Sequence, residues 1–294
     1  VVERTPFLDF LSYLLLTLGV AAVAFPIFYC VVAATLPLED VLRMPMPLTP
    51  GGHLFENFGL ALEKGHLSRQ LWNSFLVAMG VALGKITISI ISAYAIVYFP
   101  FRFRMPAFWM IFMTLMLPVE VRILPTYEVA ANLFSPVAAI LRLFHVEIEL
   151  KLSLLNSYPG LILPLVASAT ATFLFRQFFL TVPEELCEAA KIDGAGPLQF
   201  FWKVLLPLSK TNIAALFVIL FVTGWNQYLW PLLVTTESDM RMAVVGIQAL
   251  IPKAEQAPQW NVAMAGALLV MLPPVLVVVL MQRWFVRGLI EHEK

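Results

Sequence analysis

Charge is what this 294-residue chain has least of: Asp, Glu, Lys and Arg together make up 13% of it, while 60% is hydrophobic. Ordinary soluble domains carry about 25% charged residues, so the polar supply here cannot cover a water-facing surface. A mean hydropathy of +0.85 shows the apolar excess in the average over the whole chain. Neither sign of charge is in surplus, with 19 Lys and Arg against 19 Asp and Glu. That balance removes the basic footprint of a nucleic-acid binder and any strongly charged tail. Cysteine is scarce too. Cys30 sits in an apolar run and Cys187 in a polar loop, which gives neither a disulfide framework nor a zinc site. His53, His66, His145 and His292 show no ligand spacing, so metal and redox chemistry find no support. No Ser/His/Asp set and no carboxylate pair within one apolar segment is present, which leaves an enzyme reading without catalytic residues.

What the chain has in quantity is long apolar segments. A helix needs about 20 mostly apolar residues to cross a hydrocarbon core of about 30 Å. Six segments qualify: residues 11–36, 72–99, 106–124, 155–178, 211–234 and 262–281. Inside lipid every backbone N–H and C=O must find its partner within the segment, so these are helices. A membrane barrel would alternate apolar and polar residues, and these runs do not. The expected fold is therefore all-α and polytopic, with six transmembrane helices. The first segment follows Arg4 but is longer than a signal-peptide core, and it reads as a retained span. The chain begins with Val1, which leaves room for a starting residue or short leader upstream.

Lys and Arg in the loops set the orientation. Ten lie on the side of the N-terminus, among them Arg102, Arg104, Arg176, Lys191, Lys203 and Lys210, and eight lie opposite, with Lys85 left inside a span. The first set occupies shorter loops, so both termini are expected in the cytoplasm. Two outer loops are long, 37–71 and 122–154, and the second holds an amphipathic stretch around 137–152. No repeat, low-complexity tract or second soluble domain is present, so residues 1–294 read as one transmembrane domain.

The largest cytoplasmic loop reads TVPEELCEAAKIDGAGPLQFFWKVLLPLSKTN over 181–212. Thr181 and Glu184 fit a capping box with Pro183 in the first turn, and a short helix is expected through Leu186, Ala189 and Ala190. Gly194 is placed to end it, and Pro197 to open a second helix carrying Phe200, Phe201 and Trp202. Two short helices with small residues at their elbow form a knob that a partner's groove could accept. A loop that merely lies on the membrane surface is the plainer alternative.

Glu188-Ala189-Ala190, then three residues, Gly194, nine residues and Val204-Leu205-Leu206-Pro207 resemble the EAA loop of membrane subunits of ABC importers. The usual form has Ile where Val204 stands. The stretches LMLPVEVRILPTYEVAANL, ASATATFLFRQFF, LPLSKTNIAALFVI, GWNQYLWPLL and MQRWFVRGL look like permease subunits of the carbohydrate-uptake family, closest to those of sn-glycerol-3-phosphate importers. Residues 134–152 look like an insertion relative to that form.

The resemblance implies a type I ABC importer permease fold in a bacterial cytoplasmic (inner) membrane. It implies a related permease as heterodimer partner, two ATPase subunits and an extracytoplasmic substrate-binding protein. Within the loop 181–207 it assigns coupling to the ATPase to Glu188, Ala189, Ala190, Asp193, Gly194, Leu206 and Pro207. No cofactor is expected on this chain, and ATP and magnesium would be used by the partner ATPases. The residues agree in one respect: 80–87 is the nearest approach to a phosphate-binding P-loop, and it is one residue short between its glycines and has Ile86 where Ser or Thr is required.

Polar residues inside the spans are the remaining candidates. Gly80 and Gly84 form a small-xxx-small pair suited to close helix packing. Lys85 falls near the middle of the second span, where a charge costs at least about 2.5–3.5 kcal/mol. It either lines a translocation path and meets a phosphate-bearing substrate, or pairs with a carboxylate or carbonyls to hold helices together. Glu120 and Arg122, at the outer end of the third span, either steer an anion or form a water-satisfied interfacial pair. Trp225, Asn226 and Gln227 either offer a platform and amides to a polyol or phosphate ligand, or act as interhelical glue beside an aromatic belt of Tyr228 and Trp230. Asn73 and Ser74 suit either purpose. Two other readings stay open: an importer subunit for a neutral sugar or polyol, and a secondary transporter needing no ATPase.

Overall fold

The computed structural model describes residues 6–64, 66–114, 119–145, 150–251 and 259–290, and among these every regular element is a helix. In chain order they are α1 (Pro6–Thr35), α2 (Leu38–Val41), α3 (Leu54–Lys64), α4 (Leu67–Tyr98), α5 (Arg104–Met113), α6 (Val119–Ala131), α7 (Ser135–Arg142) and α8 (Tyr158–Val166). There follow α9 (Ala169–Thr181), α10 (Glu184–Ile192), α11 (Pro197–Phe200), α12 (Leu206–Leu208), α13 (Lys210–Trp225), α14 (Leu229–Val234), α15 (Ala243–Gly246) and α16 (Trp260–Ile290).

Three of these helices, α1, α4 and α16, are long and apolar enough to cross a membrane unbroken. Three bent pairs reach the same standard only together: α6 with α7 at 92°, α8 with α9 at 47°, and the helix 197–208 with α13 at 70°. The expected third span, 106–124, is divided between α5 and the first turns of α6, with 115–118 outside the described residues. The expected fourth and fifth spans are present as broken segments. Their breaks have local causes. Pro164 lies in the last turn of α8, after which Ala167 and Ser168 are extended and the Ser168 hydroxyl caps α9 by accepting from Ala171 N. Pro231 has no N–H to donate back to residue 227, so the chain breaks after Trp225 and resumes as α14.

The chain divides into two compact units. The first comprises residues 1–69 and 246–272. Its core is the last turn of α1, where Val32, Ala33 and Leu36 pack on Met46, with Met264 of α16 against them. Asn57 donates to the Ala34 and Leu36 carbonyls at 2.8 and 3.0 Å, and Asn261 donates to Asn57 Oδ1 at 2.8 Å. These bonds satisfy the carbonyls that the end of α1 leaves open.

The second unit comprises residues 70–245 and 273–294. Its core runs along α4 through Ala78, Ala82, Ile86, Ile90 and Ala93, and continues into Phe175, Phe179, Phe221 and Trp225. Gly80 and Gly84 make the close approach their spacing predicts. A Cβ on Gly80 would stand 2.6 Å from Ile162 Cδ1, and one on Gly84 would stand 2.9 Å from Val166 Cγ2. Both contacts are with α8. Asn73 and Ser74 are fully buried and satisfied: Asn73 donates to the Asp239 and Arg241 carbonyls at 2.7 and 3.1 Å and accepts from Tyr158 Oη at 2.8 Å. Ser74 Oγ accepts from Ala243 N at 2.8 Å. Of their two possible purposes, holding the 239–243 segment is the one observed.

Candidate functional site

Two places in the second unit gather the residues singled out in the sequence. The first is the loop after α9. The capping box does not form: α9 runs through Thr181, whose hydroxyl donates to Phe178 O at 2.7 Å, and α10 starts from Pro183 with no side-chain cap. Thr181 is drawn into the preceding helix because its own hydroxyl can close that helix's last turn. The expected end of α10 is present. Gly194 has φ +77°, its N–H donates to Lys191 O at 3.0 Å, and Ala195 N donates to Ala190 O at 2.8 Å. This is a Schellman turn, which needs a left-handed residue at that position.

Pro197 then opens α11, which passes through a π-helical turn over Phe201–Leu205 into α12. Pro207 lacks the N–H that would return to the carbonyl of residue 203, and the wider turn accommodates that gap. Ser209, fully buried, donates to Leu205 O at 2.6 Å where the chain bends into α13.

The knob has two faces. Inward, Ala190, Phe200, Phe201 and Leu205 are buried in the core. Tyr94 Oη donates to Pro197 O at 2.9 Å, Tyr94 lies 5.0 Å from the Phe201 ring and Tyr98 lies 5.3 Å from that of Phe200. A cavity of about 260 Å³ remains between these tyrosines and Cys187. Outward, Glu184, Glu185, Glu188, Ala189, Asp193 and Gly194 are exposed, together with Ile192 at 86% and Leu198 at 72%. Leu206 is half-buried and Pro207 exposed. An outward face that mixes carboxylates with two bare aliphatic side chains is suited to a protein partner with cations around an apolar groove.

The second place is a cavity of about 360 Å³ whose lining includes Lys85 of α4, Arg122 and Thr126 of α6, Thr223 of α13, Gln227 and Trp230. Pro164 and Ala167, at the break between α8 and α9, complete one wall. The break between α13 and α14 forms another. No carboxylate is among its described lining residues. Thr126 Oγ1 donates to Arg122 O at 2.6 Å, and Thr223 Oγ1 to Ile219 O at 2.7 Å. Gln227 Nε2 donates to Thr223 O at 3.4 Å. Trp230 is buried, with Nε1 donating to Gly160 O at 3.2 Å, so it is helix glue and no part of an interfacial belt.

The structure thus brings Lys85, Arg122 and Gln227 to one cavity and leaves out two of their companions. Trp225 is 1% exposed and packs in the aromatic core, 6.0 Å from the Phe221 ring, so it offers no platform to a ligand. Asn226 is exposed at the C-cap of α13. Glu120 lies in the first turn of α6, and its side chain is outside the described residues. Thr126 and Thr223 were not anticipated. Their signal was present in the spacing: Thr126 lies four residues from Arg122 on one face of α6, and Thr223 lies four residues before Gln227. Among the described residues no group of His, Cys, Asp or Glu could hold a metal ion.

These features can now be set beside known proteins. The family model of binding-protein-dependent transport system inner membrane components matches residues 85–291. The chain is 53% identical over 300 residues to the sn-glycerol-3-phosphate transport system permease protein UgpE of Brucella melitensis, with 100% of both chains covered. The proteins of the same name from Agrobacterium fabrum and Pectobacterium atrosepticum are each 52% identical over their full lengths. Among solved structures, a chain of a bacterial ABC transporter involved in the import of the acidic polysaccharide alginate superposes with a TM-score of 0.77 at 18% identity, covering 97% of this chain and 100% of that one. That likeness concerns the fold. By the family match and the full-length relatives, the chain belongs to the binding-protein-dependent transport system inner membrane components, the permease subunits of ABC importers.

Proposed function

We propose that this chain is one permease subunit of an ATP-driven importer and that, with a related permease, it forms the translocation path for sn-glycerol-3-phosphate. The observation that carries the substrate is the full-length identity of 52–53% to permeases named for that compound. In this reading the chain is a single permease domain that spans a bacterial inner membrane six times, with both termini in the cytoplasm. It binds no cofactor and hydrolyses nothing. Two ATPase subunits supply that step with ATP and magnesium, and an extracytoplasmic binding protein delivers the substrate.

Coupling is assigned to the knob over 181–207. Glu188, Ala189, Asp193 and Gly194 present its outer face to the ATPase, while Ala190 seats α10 against α4 and Leu206 and Pro207 join it to α13. Support for this role comes from how firmly the knob is held. The Tyr94–Pro197 hydrogen bond and the rings of Phe200 and Phe201 tie it to the end of α4, so a push on α10 is carried to that helix. The other end of the knob continues through the π turn into α13, which borders the Lys85 cavity at Thr223. One rigid connection therefore links the outer face of the knob to the cavity wall.

The reading is tested in the assembled complex in proteoliposomes. ATP-dependent uptake of labelled sn-glycerol-3-phosphate is expected, with maltose failing to compete. Glu188→Lys is expected to lower uptake at least ten-fold while the permeases still co-purify, because it reverses a charge on the docking face. Uptake of a neutral sugar in place of the phosphate ester would move the reading to a sugar importer. Uptake with no ATPase subunit bound would make the chain a secondary transporter.

A further inference from the structure

The Lys85 cavity carries more than a place on the path. Two cations, Lys85 and Arg122, share it, and no carboxylate is among its described lining residues. Like charges in one cavity repel. For the chain alone this arrangement costs stability, and Lys85 in mid-span adds an insertion cost of about 2.5–3.5 kcal/mol. An arrangement whose purpose was to hold helices together would pair each cation with an anion. The cost is offset when a mobile anion enters between them.

The other lining groups narrow what that anion carries. The hydroxyl hydrogens of Thr126 and Thr223 are spent on backbone carbonyls, and one of the two Gln227 amide hydrogens is directed to Thr223 O. What these three side chains have left to offer a ligand is mainly oxygen lone pairs, which accept from ligand hydroxyls. Trp230, its N–H already bonded to Gly160 O, contributes apolar surface. The cavity volume of about 360 Å³ lies at the small end of the range for ligand pockets, about 300–1,000 Å³. Helix breaks form two of its walls, as expected where irregular backbone borders a polar cavity within a membrane.

Resting on the functional reading above, the geometry points to a substrate subsite on this subunit itself: Lys85 and Arg122 take the phosphate of a small polyol phosphate, and Thr126, Thr223 and Gln227 accept from its hydroxyls. A phosphate monoester carries about −1.5 to −2 charge at pH 7, which matches two fixed cations. A neutral polyol would leave both cations uncompensated, so the subsite selects for the anion as well as holding it.

The test uses the complete complex in proteoliposomes with loaded binding protein, and it reads two quantities. One is uptake of labelled sn-glycerol-3-phosphate; the other is label retained in the complex after vanadate trapping. K85Q and R122Q are each expected to lower both at least ten-fold, and K85R and R122K to keep at least a third of each, because they preserve the charge. Arg122 is exposed, so R122Q decides the matter even where K85Q fails to assemble. Uptake and retention within two-fold of wild type in R122Q overturn the subsite. Equal losses in R122K and R122Q overturn it as well, since they mark a packing role. A wild-type complex that imports no sn-glycerol-3-phosphate overturns the functional reading instead, a result visible before any substitution is made.

Discussion

α1 and α4 are nearly the same length, 30 and 32 residues, and both are apolar enough to cross a membrane, yet they are used in opposite ways. Only 6% of the most apolar stretch of α1 is buried within the chain, against 44% for α4. Bulky side chains surround α1: Phe7, Phe10, Tyr13, Leu16, Val23 and Phe25 are all exposed. Among the described residues most of α1 has no protein neighbour, and its apolar surface is left for lipid or another subunit. α4 instead carries small residues at helical spacing, Ala78, Gly80, Ala82 and Gly84, and polar groups at Asn73, Ser74 and Ser89 that bond to other segments. Apolarity makes both helices fit to cross a membrane, whereas the close glycine contacts and the side-chain bonds to other segments tie α4 into a core.

Substitutions can break that contrast. The largest effect is expected from Gly84→Leu, whose side chain has no room beside Val166. Overpacking of this kind costs about 1–3 kcal/mol or more, and the assembled complex should be lost from size-exclusion chromatography in detergent. Next comes Asn73→Ala, which removes the bonds to the Asp239 and Arg241 carbonyls and from the Tyr158 hydroxyl. Losing part-buried hydrogen bonds costs about 0.5–1.5 kcal/mol each, readable as a lowered melting temperature of the purified complex. Gly194→Ala is expected to cost about 1 kcal/mol, because only the left-handed backbone there disfavours a side chain and no atom stands in its way. Its melting temperature should fall less than that of the Asn73 variant. Gly19→Leu on α1 is expected to cost less than about 0.5 kcal/mol, since a Cβ there would stand in open space. A large loss in that last variant would show that a partner packs on this part of α1.

The knob was more legible in the sequence than the cavity. Gly194 and Pro197 act locally, through φ and through a missing N–H, so their effects follow from the residue types alone. Thr181 misled because a hydroxyl at a helix boundary can serve the helix behind it as well as the one ahead. Trp225, Asn226 and Gln227 misled for a different reason. Trp225 ends α13 while Asn226 and Gln227 lie in the break that follows, so the three do not continue one helical face. Trp225 closes the core, Asn226 caps the helix, and Gln227 alone lines the cavity.

What the sequence alone determined was the membrane, the positions of most apolar segments and the helix–turn–helix of the 181–207 loop, because each depends on residues close together in the chain. Its scarcity of charge was also plain, as was the oddity of a lysine in mid-span. Only the tertiary structure decided what that lysine meets. Lys85 and Arg122 lie on separate helices and Gln227 in the break between two others, and they come to one cavity because Gly80 and Gly84 let α4 approach α8 closely and because the breaks at 167–168 and 226–228 open space beside them. Those are facts about which helices touch and where they bend, and a sum of local preferences does not contain them.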